Sequence, residues 1–139
     1  MRFMVMIKAN RDTEAGVMPS EDVLGAMGQY NEELVNAGVM LGGEGLHPSI
    51  HGARVHFSEG RTSVVDGPFV ETRELIAGYW ILQTGSLQET IDWVKHCPAS
   101  AIGNSEIEIR QIFEPDDFGA EFTPELREQE DRLRAQITQ

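Results

Sequence analysis

Charged side chains are concentrated in the segment from Asp66 to Glu74, around a turn that separates two strand-like stretches. Its sequence is Asp-Gly-Pro-Phe-Val-Glu-Thr-Arg-Glu. Asp66 and Glu71 are five positions apart across the turn, so their carboxylates can face one cavity. Crowding or burial there would favour the protonated form of one carboxyl group and provide a general acid or base. Asp66 and Glu71 are therefore the candidate catalytic residues.

The same residues also suit a purely structural corner. Asp66 can hydrogen-bond its own backbone, Gly67 tolerates positive φ and Pro68 has a fixed φ, which together favour an abrupt change of direction. In this interpretation Asp66 caps the turn, and Glu71 pairs with Arg73 or another cation. The two interpretations predict different surroundings for the carboxylates, so a structure can separate them.

Aromatic and cationic residues near this segment can form the rest of a small-molecule site. Aromatic side chains would supply the walls, and an arginine would anchor an anionic group of the substrate. The candidate substrate-binding residues are Arg54, Phe69, Arg73, Tyr79 and Trp80. We expect the two carboxylates to border one cavity with Phe69 and an aromatic residue of the following strand. At least one carboxylate should be mostly buried.

A second group, Glu44, His47 and His51, follows the pattern E-x-x-H-x-x-x-H. Two imidazoles and a carboxylate can hold a divalent metal. Pro48 and Gly52 argue against a helical arrangement of these ligands, and histidines in loops are usually solvated. The sequence therefore assigns no metal or other cofactor, and metal binding by this group stays an open alternative.

The nine-residue segment also resembles a known motif. DGPFVETRE is similar to DGPFAETKE, the motif of the DGPF-domain branch of the YCII-related family, with Val70 in place of Ala and Arg73 in place of Lys. Nine ordered residues are a more specific signal than a short glycine pattern. The resemblance extends over about residues 1–113. The flanking stretches that share it are 1–7, 37–46 and 93–98.

The resemblance implies a ferredoxin-like fold that assembles as a dimeric α+β barrel. Some YCII-related proteins look like small lyases or dehydrochlorinases, in which a histidine of the first helix and a nearby aspartate are the suspected active pair. Alignment on Gly38 places these positions near Met27 and Asn36, neither of which titrates, so that pair is not carried over. The DGPF branch is also associated with extracytoplasmic-function sigma factors, which implies a sensing or regulatory role.

Composition and charge limit the classes of function. The chain has 139 residues, 40% of them hydrophobic, and a formal net charge of -12, which fits one domain and argues against nucleic-acid and anionic-membrane partners. The single cysteine, Cys97, excludes an intrachain disulfide and is expected to be a buried structural thiol. No export signal and no long apolar span is evident, so a cytoplasmic protein is expected.

The predicted elements follow one another as strand, helix, strand, hairpin, strand, helix, strand. This is an α+β class, a ferredoxin-like βαββαβ arrangement with an inserted β-hairpin. Ser20 and Gly38 are the expected start and end signals of the first helix, and Ser86 begins the second. The predicted strands cover residues 3–7, 39–44, 53–58, 61–65, 75–83 and 106–113, and residues 10–19 are predicted as a loop. The expected inward helix positions are Val23, Met27, Tyr30, Leu34, Ala37, Leu87, Ile91 and Val94.

Two strands, at residues 3–7 and 75–82, are apolar at positions that face both sides of the sheet. Two helices can cover only one side, which would leave an apolar patch far larger than monomers usually expose. We therefore expect a homodimer in which two sheets pack face to face.

After residue 113 the composition becomes acidic, with eight acids and three arginines in residues 114–139. A helix start is predicted at Thr123, but the apolar stripe that follows is too thin for a stable isolated helix. We expect a helical arm anchored by Phe118 or Phe122 and laid on this subunit or its neighbour, with a frayed exposed tail as the alternative. The domain boundary is placed at residue 113.

Two functional hypotheses from different classes fit these observations. The first is a lyase or isomerase acting on a compact small molecule, with Asp66 or Glu71 as acid or base. The second is a non-catalytic ligand-sensing or regulatory module associated with an extracytoplasmic-function sigma factor, which uses the same pocket without chemistry or the acidic arm as a docking surface. A carboxylate in a cavity would favour the enzyme, and a basic partner whose binding weakens with salt would favour the module.

Overall fold

The computed structural model describes residues 1–138, without the side chains of Ala99 and Ser100. The strands are β1 (Arg2–Lys8), β2 (Met40–Gly45), β3 (Ala53–Ser58), β4 (Arg61–Asp66), β5 (Ile76–Gln83) and β6 (Ile107–Gln111). The helices are α1 (Arg11–Glu14), α2 (Glu21–Asn36), α3 (Leu87–Lys95), α4 (Ala99–Ile102) and α5 (Pro124–Ile137). Short 3-10 turns occupy Ser49–His51, Thr72–Glu74 and Pro115–Asp117. None of the helices within residues 1–138 is long and apolar enough to cross a membrane.

The main sheet has four strands in the order β2-β5-β1-β6, and each neighbouring pair is antiparallel. With the hairpin β3-β4 set aside, the chain follows the βαββαβ order, and its two inner strands are the first and third of this core. The predicted α+β, ferredoxin-like fold with an inserted hairpin is therefore confirmed.

The hydrophobic core lies between one face of this sheet and the helices. Val5 and Trp80 are opposite each other on β1 and β5, and both are buried. Tyr30 of α2 meets the indole of Trp80 edge to face at 5.6 Å, and its hydroxyl donates to the carbonyl of Trp93 at 2.7 Å. The buried members of the core cluster are Val5, Tyr30, Leu34, Val39, Trp80, Leu82 and Cys97.

Local signals set the ends of α2 as expected. The Ser20 hydroxyl accepts from the amide of Val23 at 3.3 Å, and Gly38 has φ +71° just after the helix. Ala37, expected to face inward, is exposed because it is the C-cap residue of the last turn. The predicted loop before α2 contains the short helix α1, which begins at an Asn10–Thr13 capping box.

One inward position of α3 was predicted wrongly. Leu87 is 48% exposed, while Thr90 is fully buried and its hydroxyl lies 2.6 Å from the Thr84 hydroxyl. This paired polar contact satisfies both hydroxyls, and it turns the Leu87 side of the first turn toward water. Cys97 is buried as expected, and burial raises the pKa of its thiol, which makes it a poor nucleophile.

The hairpin of β3 and β4 stands apart from the main sheet. Its turn, Glu59-Gly60, has positive φ at both residues, and this twist matches two antiparallel strands. Nearly all of its side chains are exposed, including Phe57 at 80%. An isolated two-stranded hairpin is marginally stable in water.

The segment after β6 is tied to the first strand. The Arg2 guanidinium holds the Glu114 carboxylate through two hydrogen bonds of 2.7 and 3.2 Å, and these hold the pKa of that carboxyl below its ordinary value. The contribution of this pair to stability is present above the unfolded pKa of about 4.3 and is lost as the pH falls through the lower folded value. Phe113, Phe118 and Phe122 pack in sequence, with ring centroids 5.1 and 5.3 Å apart.

The terminal helix α5 begins as predicted, with Thr123 as N-cap and Pro124 as its first residue. Its apolar side chains, Leu126, Leu133 and Ile137, are 46%, 49% and 78% exposed. The stripe therefore lies uncovered in the single chain, and the docking site of the arm stays a prediction.

We expect truncation after Phe113 to leave a folded protein whose melting temperature falls by only a few degrees, because the sheet and both packing helices are complete by then. The loss comprises the Phe118 and Phe122 packing and the partly exposed pair of Arg2 with Glu114, together about 1 kcal/mol. Thermal unfolding followed by circular dichroism measures this change. A truncation after Phe122 is the matched control and should recover most of it. An unfolded or assembly-deficient 1–113 protein would show that the boundary is misplaced.

Candidate functional site

The corner that follows β4 is held by a chain of hydrogen bonds to two distant segments. The Glu14 carboxylate accepts from the amide of Ser49 at 2.9 Å and from the Ser49 hydroxyl. The hydroxyl oxygen of Ser49 accepts in turn from the amide of Phe69 at 2.9 Å. This chain links α1, the loop after β2 and the corner, so the corner has one defined position.

Gly67 is required at this corner by the backbone of another segment. A β-carbon at Gly67 would lie 1.7 Å from the carbonyl oxygen of Ser49. The Gly67 amide also donates to the carbonyl of Gly52 at 3.0 Å. The peptide bond between Gly67 and Pro68 is cis. The glycine therefore lets the chain pass directly against the loop after β2.

The expectation that a carboxylate is buried here is not met in the single chain. Asp66 and Glu71 are both exposed, and neither lines the cleft described below. Arg54 does contact Phe69, with its guanidinium carbon 4.0 Å from the ring centroid, which is a cation–π geometry. Arg73 is exposed. Arg54 and Phe69 are thus the predicted corner residues that the structure brings into contact.

Tyr79 and Trp80 belong to a different place, a cleft of about 240 Å³ between α2 and the β2-β5 strand pair. Adjacent strand residues point to opposite faces, and Trp80 points toward the helices into the core. The Tyr79 side chain is therefore directed to the other face, and its backbone contributes to the floor of the cleft. The predicted site residues are thus divided between the corner and this cleft.

The cleft exists because side chains are missing where the strands face α2. Gly43 is opposite Trp80 and Gly45 is opposite Gly78 in the pairing of β2 with β5, so all three glycines lie on the helix-facing side. A β-carbon at Gly43 would approach Trp80 Cδ1 to 2.8 Å, whereas one at Gly45 would meet no atom within 4 Å. We call this space the glycine cleft.

The walls of the glycine cleft are mostly apolar, and the polar residues Asn31 and Glu44 also line it. Met27 of α2 and Met40 of β2 lie beside Trp80. The indole Nε1 of Trp80 donates to Oδ1 of Asn31 at 2.8 Å. Because this bond occupies the oxygen of the Asn31 amide, the NH₂ group of Asn31 remains to donate a hydrogen bond to a bound molecule.

Sequence reasoning missed the role of Met27, Asn31 and Met40 in this cleft. Met27 was expected as an inward position of α2, and no function was predicted for the glycines at residues 42–45. The usable signal was the alternation of glycines at 43 and 45, which empties one face of a strand.

The histidines of the possible metal group lie in the loop after β2. The rings of His47 and His51 meet edge to face with centroids 5.1 Å apart. Within residues 1–138 no three His, Cys, Asp or Glu side chains come together in an arrangement that could hold a metal ion. The described geometry therefore gives no support to metal binding by Glu44, His47 and His51.

Comparison with known proteins gives three findings. The family model described as YCII-related domain matches residues 1–115. An uncharacterised protein of Rhizobium meliloti (strain 1021) is 28% identical over 92 residues, which are 66% of this chain and 74% of that protein. A solved structure, 5-chloro-2-hydroxyhydroquinone dehydrochlorinase from Burkholderia phenoliruptrix AC1100 in complex with 2,5-dihydroxybenzoquinone, shows 15% identity and a TM-score of 0.46. It covers 82% of this chain and 95% of its own.

The contact between Gly67 and Ser49 predicts a strong effect of a single methyl group. We expect Gly67→Ala to lower the free energy of unfolding by about 2 to 3 kcal/mol, because the added carbon overlaps backbone that cannot rotate away. Urea denaturation measures the change. Gly119→Ala is the control, since a β-carbon there meets no atom within 4 Å. Equal stability of the two variants would contradict the described approach of the corner to the loop.

Proposed function

Because this chain belongs to the YCII-related family, whose model it matches from residue 1 to 115, we propose that it binds a compact, planar small molecule in the glycine cleft. The observation that carries the proposal is the cleft between α2 and the β2-β5 strand pair, which lies beside Trp80 and has open space above Gly45. A preformed concave site with few polar groups is typical of small-molecule binding.

The chemistry of the walls defines the ligand class. A flat ring can lie against Trp80, and the thioethers of Met27 and Met40 make favourable contacts with aromatic edges. The Asn31 amide supplies a hydrogen-bond donor for one oxygen of the ligand. An aromatic or quinonoid ring that carries a hydroxyl or carbonyl oxygen satisfies these requirements.

Binding without chemistry is the function that this geometry supports best. Glu44 is the one carboxylate among the residues that line the cleft, but the alternation of β2 directs its side chain away from the face that Gly43 and Gly45 present to α2. The helix-facing side of the cleft therefore places no carboxylate or imidazole beside a ligand. The position at which the family resemblance would place a catalytic histidine is near Met27, which lines the cleft and cannot transfer a proton. A ligand-sensing module, associated with an extracytoplasmic-function sigma factor as the resemblance suggests, fits these features.

Filling the cleft tests the proposal. We expect Gly45→Val to weaken binding of phenol, a ring with one hydroxyl, at least tenfold, because its methyl groups occupy the space of the ring. The fold should be retained, since a β-carbon at Gly45 meets no atom within 4 Å. Isothermal titration calorimetry measures the affinity. Gly119→Val is the control, because Gly119 does not line the cleft and a β-carbon there also meets no atom within 4 Å. Undetectable binding of phenol by the unmodified protein would count against the proposal.

A second candidate is a lyase or isomerase that uses Asp66 or Glu71. The favouring observation is the contact of the Arg54 guanidinium with the ring of Phe69, which lies three residues after Asp66 and two before Glu71 in the sequence. The Phe69 amide donates to the hydroxyl oxygen of Ser49, which holds Phe69 in place at the corner. Arg54 or Arg73 would anchor an anionic substrate, and a carboxylate would move the proton.

Substitutions that replace a carboxylate with the matching neutral amide distinguish the enzyme from the binding module. If the enzyme proposal holds, Asp66→Asn or Glu71→Gln should lower the turnover of the small molecule that co-purifies with the protein by about 10² to 10⁴. Mass spectrometry of that molecule over time measures turnover. Unchanged decay in both variants would leave binding as the function, and Gly119→Ala serves as the control.

We also propose that the protein forms a homodimer through the sheet face that α2 and α3 leave open. Met4 and Met6 of β1 alternate toward that face, as do Tyr79 and Ile81 of β5, with Met4 opposite Ile81 and Met6 opposite Tyr79. Met6 is buried in the single chain, and Met4, Tyr79 and Ile81 are partly exposed. A second copy of the same sheet would cover these partly exposed side chains.

Sedimentation velocity at micromolar concentration should therefore show a dimer. We expect Ile81→Arg to shift the protein toward monomer, because a charge on the covered face would lose its water. Leu24→Arg is the control, since Leu24 is 58% exposed on the outer side of α2. A stable monomer for the unmodified protein would overturn the dimer.

A further inference from the structure

A second cavity of about 310 Å³ lies beside the glycine cleft, at the N-terminal half of α2. The end of β1, the loop before α2, α2 itself and the turn after α4 contribute its walls. Its apolar lining includes Val17, Met18, Val23 and Ile102. Val17 and Met18 are 59% and 80% exposed, so this cavity offers uncovered apolar surface to a ligand.

The two cavities adjoin at three shared residues. Ile7, Met27 and Ala77 line both of them. Met27 is partly exposed, and its unbranched thioether side chain has three rotatable bonds, so it can change rotamer at low cost. A molecule seated in the glycine cleft can therefore extend past Met27 without a change of the backbone.

The polar side chains that line the second cavity belong to Lys8, Asn10, Asp12 and Thr13. Asn10 and Thr13 bond to each other, with backbone-to-side-chain bonds of 2.8 and 2.9 Å in both directions, and the ammonium group of Lys8 pairs with Glu108 at 3.2 Å. The exposed carboxylate of Asp12 would repel an anionic group, and the other lining residues are apolar or glycine. The cavity therefore suits an uncharged, largely apolar chain.

We propose that the natural ligand is elongated, with a planar oxygen-bearing ring in the glycine cleft and an alkyl or similar apolar substituent in the second cavity. The inference rests on the proposed binding function and specifies its ligand class. Val23 sets the specificity for the substituent, because it lines the second cavity but not the glycine cleft.

A series of phenols with para-alkyl chains of increasing length tests the proposal by calorimetry. Each methylene that enters the second cavity should tighten binding about fourfold, the ratio that corresponds to about 0.8 kcal/mol per buried methylene. The gain should stop when the cavity is full. Val23→Phe should abolish the gain while phenol itself binds as before, and Gly45→Val should weaken every member of the series equally.

The outcomes separate this inference from the proposed function. If phenol does not bind, the proposed function fails. If phenol binds but longer chains bind no better, or bind worse, the elongated ligand is wrong. A gain that persists in Val23→Phe also overturns the placement of the chain. The series in the unmodified protein decides the question even where a variant is poorly folded.

Discussion

The packing of Trp80 connects the core to the candidate site. Its ring meets Tyr30 edge to face, and its Nε1 bonds to Asn31, so both groups of α2 are placed against β5 by one side chain. The missing β-carbon of Gly43 is what allows this, because a methyl group there would overlap both the indole and Met40. The same contact that fixes α2 on the sheet therefore leaves the cleft beside it open.

Much of the fold could be predicted because its signals are local. Ser20 and Thr123 cap their helices, and Glu59-Gly60 turns the hairpin, each within a few residues of sequence. The exceptions involve tertiary contacts. Thr90 is buried because the Thr84 hydroxyl lies opposite, and no pattern within α3 contains that information.

The candidate site could be predicted only in part, for a related reason. Charged residues such as Asp66 and Glu71 are conspicuous in a sequence, so they attracted the prediction of catalysis, yet they are exposed in the single chain. The glycine cleft is formed by residues that have no side chain, and only the register of β2 on β5 brings these glycines together. The lack of a side chain at Gly45 and Gly78 produces no periodic hydrophobic signal along the chain.

The glycine at position 67 has a backbone conformation open to other residues, since its φ is not among the positive values. What excludes a side chain is the Ser49 carbonyl of a separate loop. The glycine of the Asp-Gly-Pro-Phe sequence is thus required by the path of residues 46–52. A change in that loop that moved the Ser49 carbonyl away would remove the restriction at position 67. A side chain at position 67 would therefore require a matching change in residues 46–52.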